Sequence, residues 1–96
     1  MRAYIVVDVH ITDPVRYEEY KKLTPDSLAP YDGKFLVRGG DTKTLEGDWK
    51  PGRFVMVEFP SLEKANAWWA SSGYERAKAI RQTSAETNMI VVEGCT

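Results

Sequence analysis

The chain has 96 residues, 43% hydrophobic and 28% charged, which fits one soluble globular domain spanning residues 1–96 and excludes fibrous, disordered and membrane-spanning classes. Its 13 basic and 14 acidic residues leave a formal net charge of −1. No basic run exceeds two residues, so the clustered Lys and Arg that a phosphate backbone requires are missing and nucleic acid is not expected as a partner.

The first strand is expected over Ala3 to Thr12. Ala3, Ile5, Val7, Val9 and Ile11 fall on one face, and Tyr4, Val6, Asp8, His10 and Thr12 on the other. The apolar run reaches Asp8 too early for a secretory leader. Cys95 is the lone cysteine and can form no internal disulfide, which together with the missing leader suits a cytoplasmic protein. Asp13-Pro14 then opens a helix, as a side-chain cap followed by a proline at the first helical position. Tyr17, Tyr20, Leu23, Leu28 and Tyr31 form its inner stripe, and Thr24-Pro25 predicts a kink or a restart. Asp32-Gly33 ends it with a residue able to adopt positive φ.

Lys34 to Leu45 reads as a second strand. Phe35 and Val37 share one face, Leu36 and Arg38 the other, and Gly39-Gly40 suggests a bulge or a close backbone approach. Residues 46–52 are turn-rich and carry Trp49, which is expected to lie over a neighbouring surface or a partner chain. The third strand, Arg53 to Phe59, again alternates: Val55, Val57 and Phe59 one way, Phe54, Met56 and Glu58 the other. Ser61 caps a helix through about Ala70, Ser71-Ser72-Gly73 breaks it, and helical spacing resumes from Tyr74 to about Ser84. Asn88 to Glu93 is the last strand.

Strand, helix, strand, strand, helix, strand is the ferredoxin-like βαββαβ order, an α+β fold. Right-handed crossovers put both helical segments on one face of a four-stranded antiparallel sheet, with the first and third strands in the middle. The opposite face is left bare, bearing Tyr4, Val6, Leu36, Phe54, Met56 and either Met89 with Val91 or Ile90 with Val92. Leaving six such side chains wet forfeits on the order of 10 kcal/mol, so a second copy is expected to cover them as a homodimer.

The side chains expected on that enclosed face suggest a pocket for a small, partly apolar anionic or aromatic molecule. His10, near neutrality in pKa, is the candidate acid or base with Asp8 beside it. Tyr4, Arg38 and Glu58 are candidate ligand contacts, Arg38 through its planar fork, although an Arg38–Glu58 ion pair would be the structural alternative. Arg81 and Trp68 are further candidates: Arg81 either pairs with a carboxylate or a helix end or meets an anion, and Trp68 either packs in the core or stacks on a ligand. One histidine and one remote cysteine give no metal-ligand spacing, and no glycine-rich phosphate loop is present, so no metal or cofactor is expected.

Asp13-Pro14, Tyr17 with Tyr20, Arg38-Gly39-Gly40, Glu46-Gly47-Asp48-Trp49, Arg53, Glu58-Phe59-Pro60, Trp68, Ser72 with Tyr74, Arg81 and Glu93-Gly94 run over almost the whole chain. In these the sequence resembles the domain of unknown function 1330 family. The resemblance implies a dimeric α+β barrel and supplies no reaction, since that fold hosts many chemistries. Two functions therefore stand beside each other: a cofactor-independent enzyme using His10 or Asp8, and a non-catalytic binding or structural dimer whose charges only pair with one another.

Overall fold

Strand β1 (Ala3–Ile11) lies between two antiparallel neighbours, and its alternation sorts the molecule into a covered side and an open side. The computed structural model describes residues 1–95. Ala3, Ile5, Val7 and Val9 are buried on the covered side, whereas Tyr4, Val6 and His10 point the other way. Strand β3 (Arg53–Phe59) pairs with β1 so that Tyr4 faces Glu58 and Val9 faces Arg53. Strand β4 (Ala85–Glu93) takes the other edge of β1, and β2 (Lys34–Arg38) flanks β3. The order β2-β3-β1-β4 is the ferredoxin-like arrangement expected, with the first and third strands central.

Three helices cover one face: α1 (Pro14–Leu28), α2 (Leu62–Trp69) and α3 (Ser72–Ser84). Each begins at a side-chain cap that accepts an otherwise orphaned N–H, as Asp13 does from Arg16, Ser61 from Lys64 and Ser71 from Tyr74. Tyr17, Tyr20 and Leu28 of α1, Trp68 of α2 and Tyr74 and Ile80 of α3 meet Val55, Val57 and Phe59 in the core. The Trp68 ring lies 4.0 Å from that of Tyr74 and 5.6 Å from that of Phe59. Burying each such side chain contributes about 1.5 to 3 kcal/mol.

The structure departs from the sequence expectation at several places, among them the start of α3, which already includes Ser72 and Gly73. Helix α1 runs unbroken through Pro25. Proline has no N–H to offer the carbonyl one turn back, and Arg38 Nη2 donates to that Lys21 carbonyl instead, at 2.9 Å. Strand β2 stops at Arg38 rather than reaching Leu45, because Gly39 turns into the left-handed region at φ 75° after donating to the Phe54 carbonyl. A bulge between Phe35 and Val37 also shifts the register, so Arg38 sits opposite Val55 on the covered side and not with Leu36 on the open one.

The positive φ before β2 belongs to Asp32 (57°), while Gly33 is needed for space: a Cβ there would come within 2.7 Å of Leu28 Cδ2. Strand β4 starts three residues early, at Ala85, as the chain leaves α3 without a loop.

If Arg38 stands in for the missing N–H of Pro25, Arg38→Met lowers stability by about 1 kcal/mol and does so less in a Pro25→Ala background. Urea unfolding of the four variants measures this coupling, and an equal loss in both backgrounds would refute the compensation.

Candidate functional site

On the open face Val6 lies opposite Met56 and Ile90, and Tyr4 opposite Glu58 and Val92. The register of β4 thus selects Ile90 and Val92 for this face. They remain 63% and 46% exposed, and with Tyr4, Val6, Phe54 and Met56 they form a continuous apolar band.

The chain between β2 and β3 folds back over one end of that band. Asp8 holds it there: Trp49 Nε1 donates to Asp8 Oδ2 and the Gly52 N–H to Asp8 Oδ1, both at 2.8 Å. Gly52 passes so close to β1 that a Cβ would overlap the Val9 carbonyl. The Trp49 ring meets Phe54 edge-on at 6.2 Å, so this tryptophan lies over the chain's own sheet.

Asp8 is buried. The Trp49 hydrogen bond, helped by the Gly52 N–H and by His10, holds its carboxyl below the usual range against the opposing effect of burial. His10 Nε2 sits 3.4 Å from Asp8 Oδ1 with the imidazole half exposed, so the two candidates for proton transfer are neighbours. At the other end Glu58 faces Tyr4 and pairs with Arg2, Nε to Oε1 3.6 Å. The alternative Arg38–Glu58 ion pair does not form, since the bulge puts the two on opposite faces.

Three guanidinium groups enter the covered side, none with a carboxylate partner among the described residues. Arg38 lies over the Phe35 ring at 4.5 Å. Arg53 Nη1 donates to Tyr17 Oη at 3.2 Å. Arg81, 5% exposed, donates from Nε to Tyr74 Oη at 3.3 Å, and that phenol in turn shares a 2.7 Å hydrogen bond with Tyr20 Oη. Burial raises the Tyr17 and Tyr20 phenols above their ordinary range.

The gap between α1 and the sheet measures only about 20 Å³, enough for about one water. Trp68 is a core residue whose Nε1 donates to Ser27 Oγ at 3.0 Å. Sequence reasoning missed Arg53, Thr87 and the grip of Asp8 on Trp49. A polar pair such as Asp8 and Trp49, 41 residues apart, leaves no local spacing to read. Among the described residues no three His, Cys, Asp or Glu side chains gather closely enough to hold a metal ion, and no helix is long and apolar enough to cross a membrane.

A four-stranded antiparallel sheet with helices on one face and an apolar band on the other defines a small ferredoxin-like α+β protein. The chain belongs to the domain of unknown function 1330 family, which matches residues 2–95. No curated protein matches it.

Solved structures share its fold. A Rhodopseudomonas palustris protein of unknown function superposes with a TM-score of 0.78 at 16% identity, covering 99% of this chain and 83% of its own. A dimeric ferredoxin-like protein of unknown function from Jannaschia gives 0.69 at 15% identity, with 98% and 100% covered. SnoaB, a cofactor-independent oxygenase from Streptomyces nogalater, gives 0.67 at 12% identity, with 99% and 94% covered. At these identities the likeness is one of fold alone.

A carboxyl whose folded pKa is depressed contributes stability that is complete above its ordinary value, 3.8 for Asp8, and is lost as pH falls through the lowered one. Removing the leading cause should therefore matter most near neutrality. Trp49→Phe is expected to destabilise the protein at pH 7 and to converge on wild type as the pH falls below 3.8. Urea unfolding across this range reads the difference, and one that does not change with pH would refute the role given to Trp49.

Proposed function

We propose that this protein works as a homodimer closed through the open face of its sheet, holding a small, partly apolar anionic or aromatic molecule between the two sheets. The apolar band of Tyr4, Val6, Phe54, Met56, Ile90 and Val92 carries this reading. Ile90 and Val92 stand 63% and 46% exposed on it, apolar surface that a second copy would take out of water, and the Jannaschia protein of the same fold is described as dimeric.

Polar groups stand at both ends of the band: Asp8 with His10 at one, Tyr4 with Glu58 at the other. His10, half exposed and next to a carboxylate, is suited to move a proton on a bound molecule. SnoaB, which shares the fold, is described as a cofactor-independent oxygenase. Arg38, Trp68 and Arg81 lie on the covered side and take no part in this chamber.

A specific observation favours the second reading, a non-catalytic binding or structural dimer. Asp8 already accepts two N–H groups and Glu58 already faces Arg2, so both carboxylates are occupied without a ligand.

Sedimentation should show a dimer at micromolar concentration, and Met56→Glu should yield a monomer with unchanged far-ultraviolet circular dichroism. A wild-type monomer would overturn the proposal. If the dimer forms, small aromatic acids should raise its melting temperature, and His10→Gln should reduce that rise. A dimer whose melting temperature no acid moves leaves the non-catalytic reading in place.

A further inference from the structure

A second arrangement lies on the covered side of the sheet and reaches round its edge strand to Ile90. Beside the edge strand β4, a cleft of about 300 Å³ opens between α2, α3 and the strand. Arg81 and Thr87 both line it, and each is anomalous for its burial. A guanidinium that is 5% exposed normally has a carboxylate. Arg81 has the neutral phenol of Tyr74, which occupies only Nε and leaves its two terminal nitrogens uncommitted by any other side chain among the described residues. Thr87 Oγ1 is buried with no hydrogen-bond partner, although a buried hydroxyl left unpaired is unfavourable.

Two polar groups that make no hydrogen bond to each other converge on one space, and both can donate to one shared acceptor. The remaining wall is amphiphilic. Ile5, Met89, Ile90 and Val91 supply apolar surface, Asn66 an amide, and Trp69 an indole face. Trp69 is held in place by Lys78, whose Nζ donates to the Trp69 carbonyl at 3.0 Å and lies 3.9 Å above the ring.

We propose that this cleft binds a monoanionic carboxylate carried on a flat apolar body. The terminal edge of the Arg81 fork matches the two oxygens of a carboxylate, Thr87 donates a third hydrogen bond, and the body lies between Met89 and the Trp69 ring. One buried guanidinium balances a single negative charge, so a dianionic phosphate is the poorer match. Arg81, Thr87 and Met89 reach the site from the covered side, while Ile90 of the open-face band also lines it, so the titration is made on the chain in whatever oligomeric state sedimentation finds.

Calorimetric titration of the full chain with benzoate tests this, with benzamide and inorganic phosphate as controls. Benzoate should bind once per chain and shift the Arg81 Nε–H resonance, and both controls should bind at least tenfold more weakly. Arg81→Lys, which keeps the charge and loses the fork, should weaken benzoate.

Thr87→Val removes an unpaired hydroxyl from the empty protein, so its melting temperature should hold or rise while benzoate binding falls about tenfold, the effect of one hydrogen bond to a charged group. That opposition separates a binding role from a structural one. No benzoate binding to the wild type at millimolar concentration would overturn the proposal, and so would unaltered binding to Thr87→Val, or phosphate bound more tightly than benzoate.

Discussion

Seven cross-strand pairs join β1 to β3, and the two-residue period of that ladder decides where every functional side chain of the sheet can go. A residue on one strand shares its face with the residue opposite it. Val7 thus meets Val55 beneath the helices, while Val6 meets Met56 on the open side. A slip of one residue by either strand would turn that strand's buried valines toward the open side and its carboxylate, Asp8 or Glu58, into the core. The large free-energy difference between those registers is what makes the arrangement unique.

The same ladder sorts charge. Asp8 and Glu58 stand on the open face, and Arg38, Arg53 and, from α3, Arg81 reach the covered side, where they donate to a backbone carbonyl or to phenols and to no carboxylate. A buried cation balanced only by neutral dipoles keeps its attraction for an anion. The two faces therefore invite different occupants. The occupants proposed for them differ accordingly, another copy of the sheet on the open face and a small carboxylate beside Arg81 on the covered one.

Asp8 links the sheet to the excursion between β2 and β3. Its two oxygens bind a backbone N–H and an indole N–H, and this brings Trp49 down onto Phe54. The stretch covers one end of the open face and leaves the band around Val6, Ile90 and Val92 free. Any partner closing on that band would therefore meet a surface already bounded on one side, with His10 at the boundary.

The βαββαβ order, the central strands, the helix caps at Asp13 and Ser61 and the core tyrosines were legible in the sequence, because each depends on periodicity or on residues within one turn of each other. So was the adjacency of Asp8 and His10, two positions apart on one strand face. The face of Arg38 was not, because one extra residue in the β2 bulge reverses the alternation and no residue type marks where that residue falls. Nor was the continuity of α1 through Pro25, where a guanidinium 17 residues beyond Lys21 takes the carbonyl that the proline leaves free. Local chemistry settled the elements. Which charges meet, which stay unpaired and which face each one enters were decided by tertiary packing, since those contacts join positions that only the folded sheet brings within hydrogen-bonding distance.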